Sequence, residues 1–171
     1  INLYTTNEKD LFKKDELFIN FSFQKNDFES KLYQIKNKIQ DNNNINTIKI
    51  DGKNIMECLQ EIEDKLNESH NNIIELNPLK DSFDNIIKTI TPKNIVGFKE
   101  QLMEKIKEYQ NIINSEDEKI KNNQPSKYDK NQINDAMNML DNFWNKLYLT
   151  IDMNELNNIH SEFESEKVKY F

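Results

Sequence analysis

Cys58, His70 and His160 are the only thiol and the only imidazoles in the chain, so nucleophilic or metal chemistry built on those groups has to use them. A cysteine nucleophile needs a base within hydrogen-bond reach. Cys58 and His70 are the one Cys–His pair close in sequence. On a continuous helix they would stand roughly 18 Å apart, at 1.5 Å per residue, and could not touch. Cys58 adjoins Leu59, a core position, and is expected to be a half-buried structural thiol. His70 follows Glu68 and Ser69 on a polar face, and His160 adjoins Ile159. Both histidines read as surface or boundary residues, with a pH switch as the alternative role for His160.

Metal and nucleotide chemistry find little to work with. A structural zinc takes four Cys or His ligands, more than the chain contains. A di-iron bundle places Glu three residues before His, and those positions hold Asn67 and Asn157. No EF-hand loop is present. Glu57, Glu61 and Asp64 fall within two turns and read as a solvated helix face. Gly52 and Gly97 are too far apart for a phosphate-cradling loop or a dinucleotide fingerprint. We therefore assign no catalytic residue, no cofactor and no metal, and expect the chain not to be an enzyme.

The elements that would position any site are helices. Gly52, Gly97, Pro78, Pro92 and Pro125 are the only glycines and prolines, too few for an all-β fold. Apolar residues recur at spacings of three, four and seven. Leu17, Phe21, Phe28, Leu32, Ile35 and Ile39 form a first stripe, closed by the polar run Asp41–Asn44. Ile48, Ile55, Leu59, Ile62, Leu66, Ile73 and Leu76 form a second. Asp51 is placed to cap this helix, although Asn46–Ile50 also alternates as an extended run would. Pro78 stops or kinks the second helix, and Leu79, Phe83, Ile86, Ile87 and Ile90 continue as a short helical segment. Thr91-Pro92 opens a third stripe through Ile95, Phe98, Leu102, Ile106, Tyr109, Ile113 and Ile120. Beyond Asn122–Pro125, Ser126–Asp129 resembles a capping box. The fourth stripe follows it through Ile133, Met137, Leu140, Trp144, Leu147 and Ile151, then slips one place near Asp152 before Leu156, Ile159 and Phe163. The expected architecture is an all-α, antiparallel up-down four-helix bundle with a break near Pro78. Residues 1–14 are expected to form an N-terminal arm, loose or briefly helical, and residues 15–171 a single bundle domain.

Charge and surface narrow the functional class. The net charge of −7 repels phosphate backbones, so nucleic acid is not an expected partner. Hydrophobic residues make up 36% of the chain, which suits a bundle whose helices each bury one stripe. Two apolar concentrations exceed that need. Around Leu17–Phe23, Phe18 and Phe23 point away from the Leu17/Phe21 seam; around Trp144, Phe143, Tyr148 and Leu149 broaden the face. Phe18, Phe23, Phe143, Trp144 and Tyr148 are therefore the candidate membrane or partner face. The plainer reading packs Phe18 and Phe23 under the N-terminal arm and Trp144 in the core. A monomer is expected, with a dimer as the alternative.

Every basic residue is Lys, Ala136 is the only alanine, and Asn and Ile abound. Such usage follows AT-rich codons. In this composition, with its four stripes from about Leu17 to Phe163 and the single Cys58, the chain resembles Plasmodium secreted helical-bundle proteins. The likeness is to the sporozoite microneme proteins that act in cell traversal. Dictyostelium and other AT-rich lineages give similar compositions. The resemblance implies secretion after micronemal storage, a signal peptide already removed before Ile1, and non-enzymatic action at host-cell membranes. It carries over no site residue. The alternative is a helical protein–protein interaction module, either an invasion-ligand fragment or a scaffold segment.

Overall fold

The computed structural model describes residues 2–69 and 73–171, with side chains described from Glu16 onward; His70 lies outside the described residues. Helix dominates, and the only described strands are two residues each. The all-α class expected from the stripes is therefore the observed one. The chain divides after Ile90 into two compact units, Ile1–Ile90 and Thr91–Phe171, where one bundle of four long helices was expected.

The first unit is built on α1 (Asn2–Ile39), which is helical through the expected arm and continues without a break. After a short α2 (Asn43–Asn46), capped by the Asn42 side chain, the chain makes a hairpin of β1 (Lys49–Ile50) and β2 (Lys53–Asn54). Asp51 and Gly52 form its two-residue turn, both with positive φ (54° and 79°), as a type I′ turn demands. Asp51 is therefore a turn residue and not a helix cap. Asn54 caps α3 (Ile55–Glu68) instead, its side chain accepting from the Glu57 N–H at 2.8 Å. The second stripe is thus divided between hairpin and helix, and it breaks at Ser69, earlier than Pro78. A 3-10 turn (Ile73–Glu75) leads into α4 (Leu76–Ile90), where Pro78 occupies the first turn. An early proline costs a helix little, because N–H groups there lack intrahelical partners. Gln24 meets Lys80 and Phe28 meets Phe83, so α1 and α4 run parallel, with α3 returning between them.

The second unit packs α5 (Lys93–Lys121), α6 (Lys130–Tyr148) and α7 (Met153–Lys167). Lys99 with Tyr148, Gln110 with Asp141 and Lys130 with Asp117 make α5 and α6 antiparallel. Phe98 with His160 and Tyr109 with Phe163 make α5 and α7 parallel. Its core runs through Ile95, Leu102, Ile106, Ile113, Ile133, Leu140, Phe143, Leu156 and Phe163. Pro92, one residue beyond the expected Thr91, takes the cap position before α5 and offers no side-chain cap. The capping box is present but lies three residues beyond the expected one: Asp129 accepts from the Gln132 N–H, and Gln132 accepts from the Asp129 N–H. Asn123, at φ 56°, closes α5 in the left-handed conformation that usually selects glycine. The slip near Asp152 is a true helix end. Leu149–Ile151 link the helices, and Asp152 caps α7 through the Glu155 N–H.

Candidate functional site

Among the described residues, Cys58 and the carboxylates near it are held in local packing and hydrogen-bond roles. Cys58 is half-buried beside the hairpin, its Sγ 4.0 Å from the carbonyls of Ile50 and Lys53. Burial pushes its thiol pKa up, which disfavours the reactive thiolate at neutral pH. Glu61 pairs with Lys53, Asp64 accepts from Gln60 at 2.9 Å, and Glu57 accepts from the capping Asn54 at 3.1 Å. The expected solvated carboxylate face is therefore a set of local ion pairs and hydrogen bonds. Lys53 has its pKa raised by the hydrogen bond to Glu61. His160 lies at a boundary, edge-on to Phe98 and 3.5 Å from Glu164. Among the described residues no three His, Cys, Asp or Glu side chains converge as metal ligands would. A cavity of about 200 Å³ lies between the hairpin, α3 and α4, with Cys58, Ile62, Leu79 and Ile86 among its apolar lining residues. A shallower groove of about 690 Å³ follows α6 and α7 over Met139 and Phe143.

The five residues of the expected face separate into two kinds. Phe143 is 4% exposed and packs edge-on against Phe163 at 5.4 Å, so it belongs to the core. Trp144 packs half-buried against that core, and Tyr148 is half-buried with Lys99 near its ring. Phe18 and Phe23 are open, at 50% and 72% exposure, with Leu17 and Ile19 also exposed beside them. Length explains the difference. At 1.5 Å per residue α1 extends about 57 Å, whereas α3 and α4 each span only about 22 Å. Among the described side chains of α1, Phe21 is the first that is buried, and every residue from Glu16 to Asn20 is exposed. Leu17, expected in the core, has the right helical phase but lies before that point. The charge-free run Leu17–Gln24 thus carries apolar side chains on several sides of a helix that only later becomes amphipathic.

Sequence reasoning missed one exposed residue on α1 and two buried charges on α5. Tyr33 is 67% exposed on the side of α1 away from Leu32 and Ile35. Its signal was the uncharged spacing back through Ser30, Asn26 and Phe23, at steps of three, four and three. Lys99 and Glu116 are buried, at 7% and 8% exposure. Both fall on the core stripe when it is read in strict alternation through Ile95, Lys99, Leu102, Ile106, Tyr109, Ile113, Glu116 and Ile120. Lys99 donates to the carbonyls of Tyr148 (2.7 Å) and Thr150 (3.0 Å), closing the C-terminal end of α6 where the helix dipole favours a cation. Glu116 accepts from the Ser126 hydroxyl at 2.6 Å and from Lys119 at 3.0 Å. Those two contacts hold its carboxyl below the usual range.

No family model, curated protein or solved structure matches the chain. Among the described residues no helix is long and apolar enough to cross a membrane. The exposed side of α1 is the feature with a chemistry that the packing of its own unit does not use.

Proposed function

We propose that this chain is a non-enzymatic helical interaction module that docks a partner protein on α1, as an invasion-ligand fragment or scaffold segment would. The supporting observation is the exposure of Leu17, Phe18, Ile19 and Phe23 on a helix that extends beyond its neighbours. A helix presenting apolar anchors at short spacing is one of the standard ways of recognising a protein surface. Asn20, Ser22 and Gln24 alternate with the anchors and suit the mixed polarity of a protein interface better than a lipid interior.

Action at host-cell membranes during traversal is the second reading. The charge-free run Leu17–Gln24 favours it, since an interfacial helix can lay such a segment into the headgroup boundary. The two readings separate experimentally. A photo-crosslinking side chain in place of Phe18 is expected to label protein in an extract of the source cells. Labelling is expected to fail when Phe23→Ser is added. The chain is also expected to stay unbound in flotation with neutral or anionic vesicles. Flotation that depends on Phe18 and Phe23 would reject protein docking in favour of the membrane reading.

A further inference from the structure

The solvent side of α1 carries a second stripe, distinct from the one buried in its own unit. Ile19, Phe23, Asn26, Ser30, Tyr33 and Asn37 recur at steps of four, three, four, three and four. All six are exposed, with Ile19 at 66%, Phe23 at 72% and Tyr33 at 67%. None is charged. This is the spacing of a coiled-coil seam, in which Phe23, Ser30 and Asn37 take one core position of the heptad and Ile19, Asn26 and Tyr33 the other. We infer that the occupant of this seam is α1 of a second copy, packed parallel and in register. The inference rests on the reading of α1 as the docking element and names its partner.

The polar members of the stripe argue for a copy of the same chain. In a parallel pair each residue meets its counterpart, so Asn26 faces Asn26 and Asn37 faces Asn37, and an amide can both donate to and accept from its twin. Asparagine at such positions weakens a coiled coil while fixing its register and two-stranded state. A lipid surface would leave the same amides without partners.

The flanking charges select the direction. In a parallel pair Ser22 lies opposite Asp27 of the second copy, and Glu29 opposite Gln34, so every flank from Ser22 to Gln34 pairs a carboxylate with a hydrogen-bond donor. The antiparallel register that keeps the whole stripe paired, with Phe23 against Tyr33, would set Asp27 against Asp27 and Glu29 against Glu29. Within each copy Asp27 also has Lys31 at 3.1 Å, which balances that carboxylate beside the seam. The area is sufficient for a modest dimer. Four aromatic rings, two from each copy, would together cover about 500 Å² at their present exposure, and Ile19 with the polar members brings the total near the roughly 1,000 Å² of a weak specific interface.

Sedimentation equilibrium of the full chain from about 1 to about 200 µM tests the inference, with a dimer expected to build up in the micromolar range. Phe23→Lys combined with Tyr33→Lys is expected to weaken dimerisation at least tenfold, while helical circular dichroism stays unchanged because neither ring is buried. Asn26→Cys in a Cys58→Ser background is expected to oxidise to a covalent dimer, and Gln24→Cys, off the seam, is not. A monomer throughout the range, a dimer indifferent to the double lysine variant, or equal crosslinking at positions 24 and 26 would each overturn it. A chain that stays monomeric yet still loses its protein crosslink on Phe23→Ser would overturn the second-copy inference alone and leave α1 docking intact. Loss of neither would remove both.

Discussion

Lys99→Met removes an ammonium while keeping most of its aliphatic stem, and so tests the two hydrogen bonds that close α6 together with the cation's contact to the Tyr148 ring. The carbonyls of Tyr148 and Thr150 lose their donor, and Thr150 is fully buried, so water cannot readily replace it. Leaving a buried carbonyl unpaired costs about 1–3 kcal/mol. Against this, a thioether avoids the desolvation that a buried ammonium carries. The two carbonyls together outweigh that relief, and the net loss is expected at about 2–3 kcal/mol. A domain of this size is stable by only about 4–12 kcal/mol, so the loss is a large fraction. It corresponds to a fall in Tm of roughly 10–20 °C. Trp144 is the only tryptophan and lies in the second unit, so its fluorescence during a thermal or urea melt reads this unit without contribution from the first. A Lys99→Met melt within about 2 °C of the parent, by the same scale, would refute the argument that Lys99 clamps the α6–α7 junction.

Two further perturbations follow from single contacts. Gly52→Ala meets no atom within 4 Å, so its cost is conformational, from φ +79°, and is expected at about 1 kcal/mol; Gly52→Asn should recover most of it, as read from urea midpoints by circular dichroism. The second unit is expected to lose stability in acid. Ser126 and Lys119 hold the Glu116 carboxyl low, Lys130 holds Asp117 low, and Lys167 holds Glu164 low. Folded values below the unfolded ones mean that the unfolded chain binds more protons. The stabilisation is then complete above about pH 5 and is lost as pH falls through the folded values. Trp144 melts at pH 7 and pH 3 should therefore differ, and Glu116→Gln should narrow the gap; an unchanged gap would exclude Glu116 as a contributor.

Local pattern made most of the secondary structure legible, and loop chemistry decided where it failed. The third stripe, from Ile95 to Ile120, lies within one helix, because its spacing never falters and strong turn signals close it at both ends. The second stripe misled because Ile48 stands seven residues before Ile55, in phase with a helix, while the pair between them is Asp-Gly. Asp-Gly between short alternating runs is a hairpin signal, and here it outweighed helical phase. The fourth stripe announced its own break. A one-residue slip rotates the buried face by about 100°, which one straight helix cannot absorb without exposing part of its stripe. The chain ends α6 at Tyr148, places Asp152 as a new cap and starts α7 on a fresh face.

Partner choice was less legible, because periodicity shows which face of a helix seeks cover but not which helix supplies it. On α1 the stripe from Phe21 to Ile39 is buried, while Leu17, in the same phase, is not. The difference lies in the short lengths of α3 and α4, which their own sequences fix through the hairpin at Asp51-Gly52 and the break after Glu68. Interrupting the second segment shortens the cover available to α1, and this is what turns Leu17 from an apparent core residue into surface, with Phe18 and Ile19 exposed beside it. The solvent-side stripe through Phe23 and Tyr33 then makes α1 a helix with two seams, one filled from within its unit. A helix with a filled seam and an open uncharged one has the form of an assembly element, and the functional reading follows from that imbalance more than from any single residue on it.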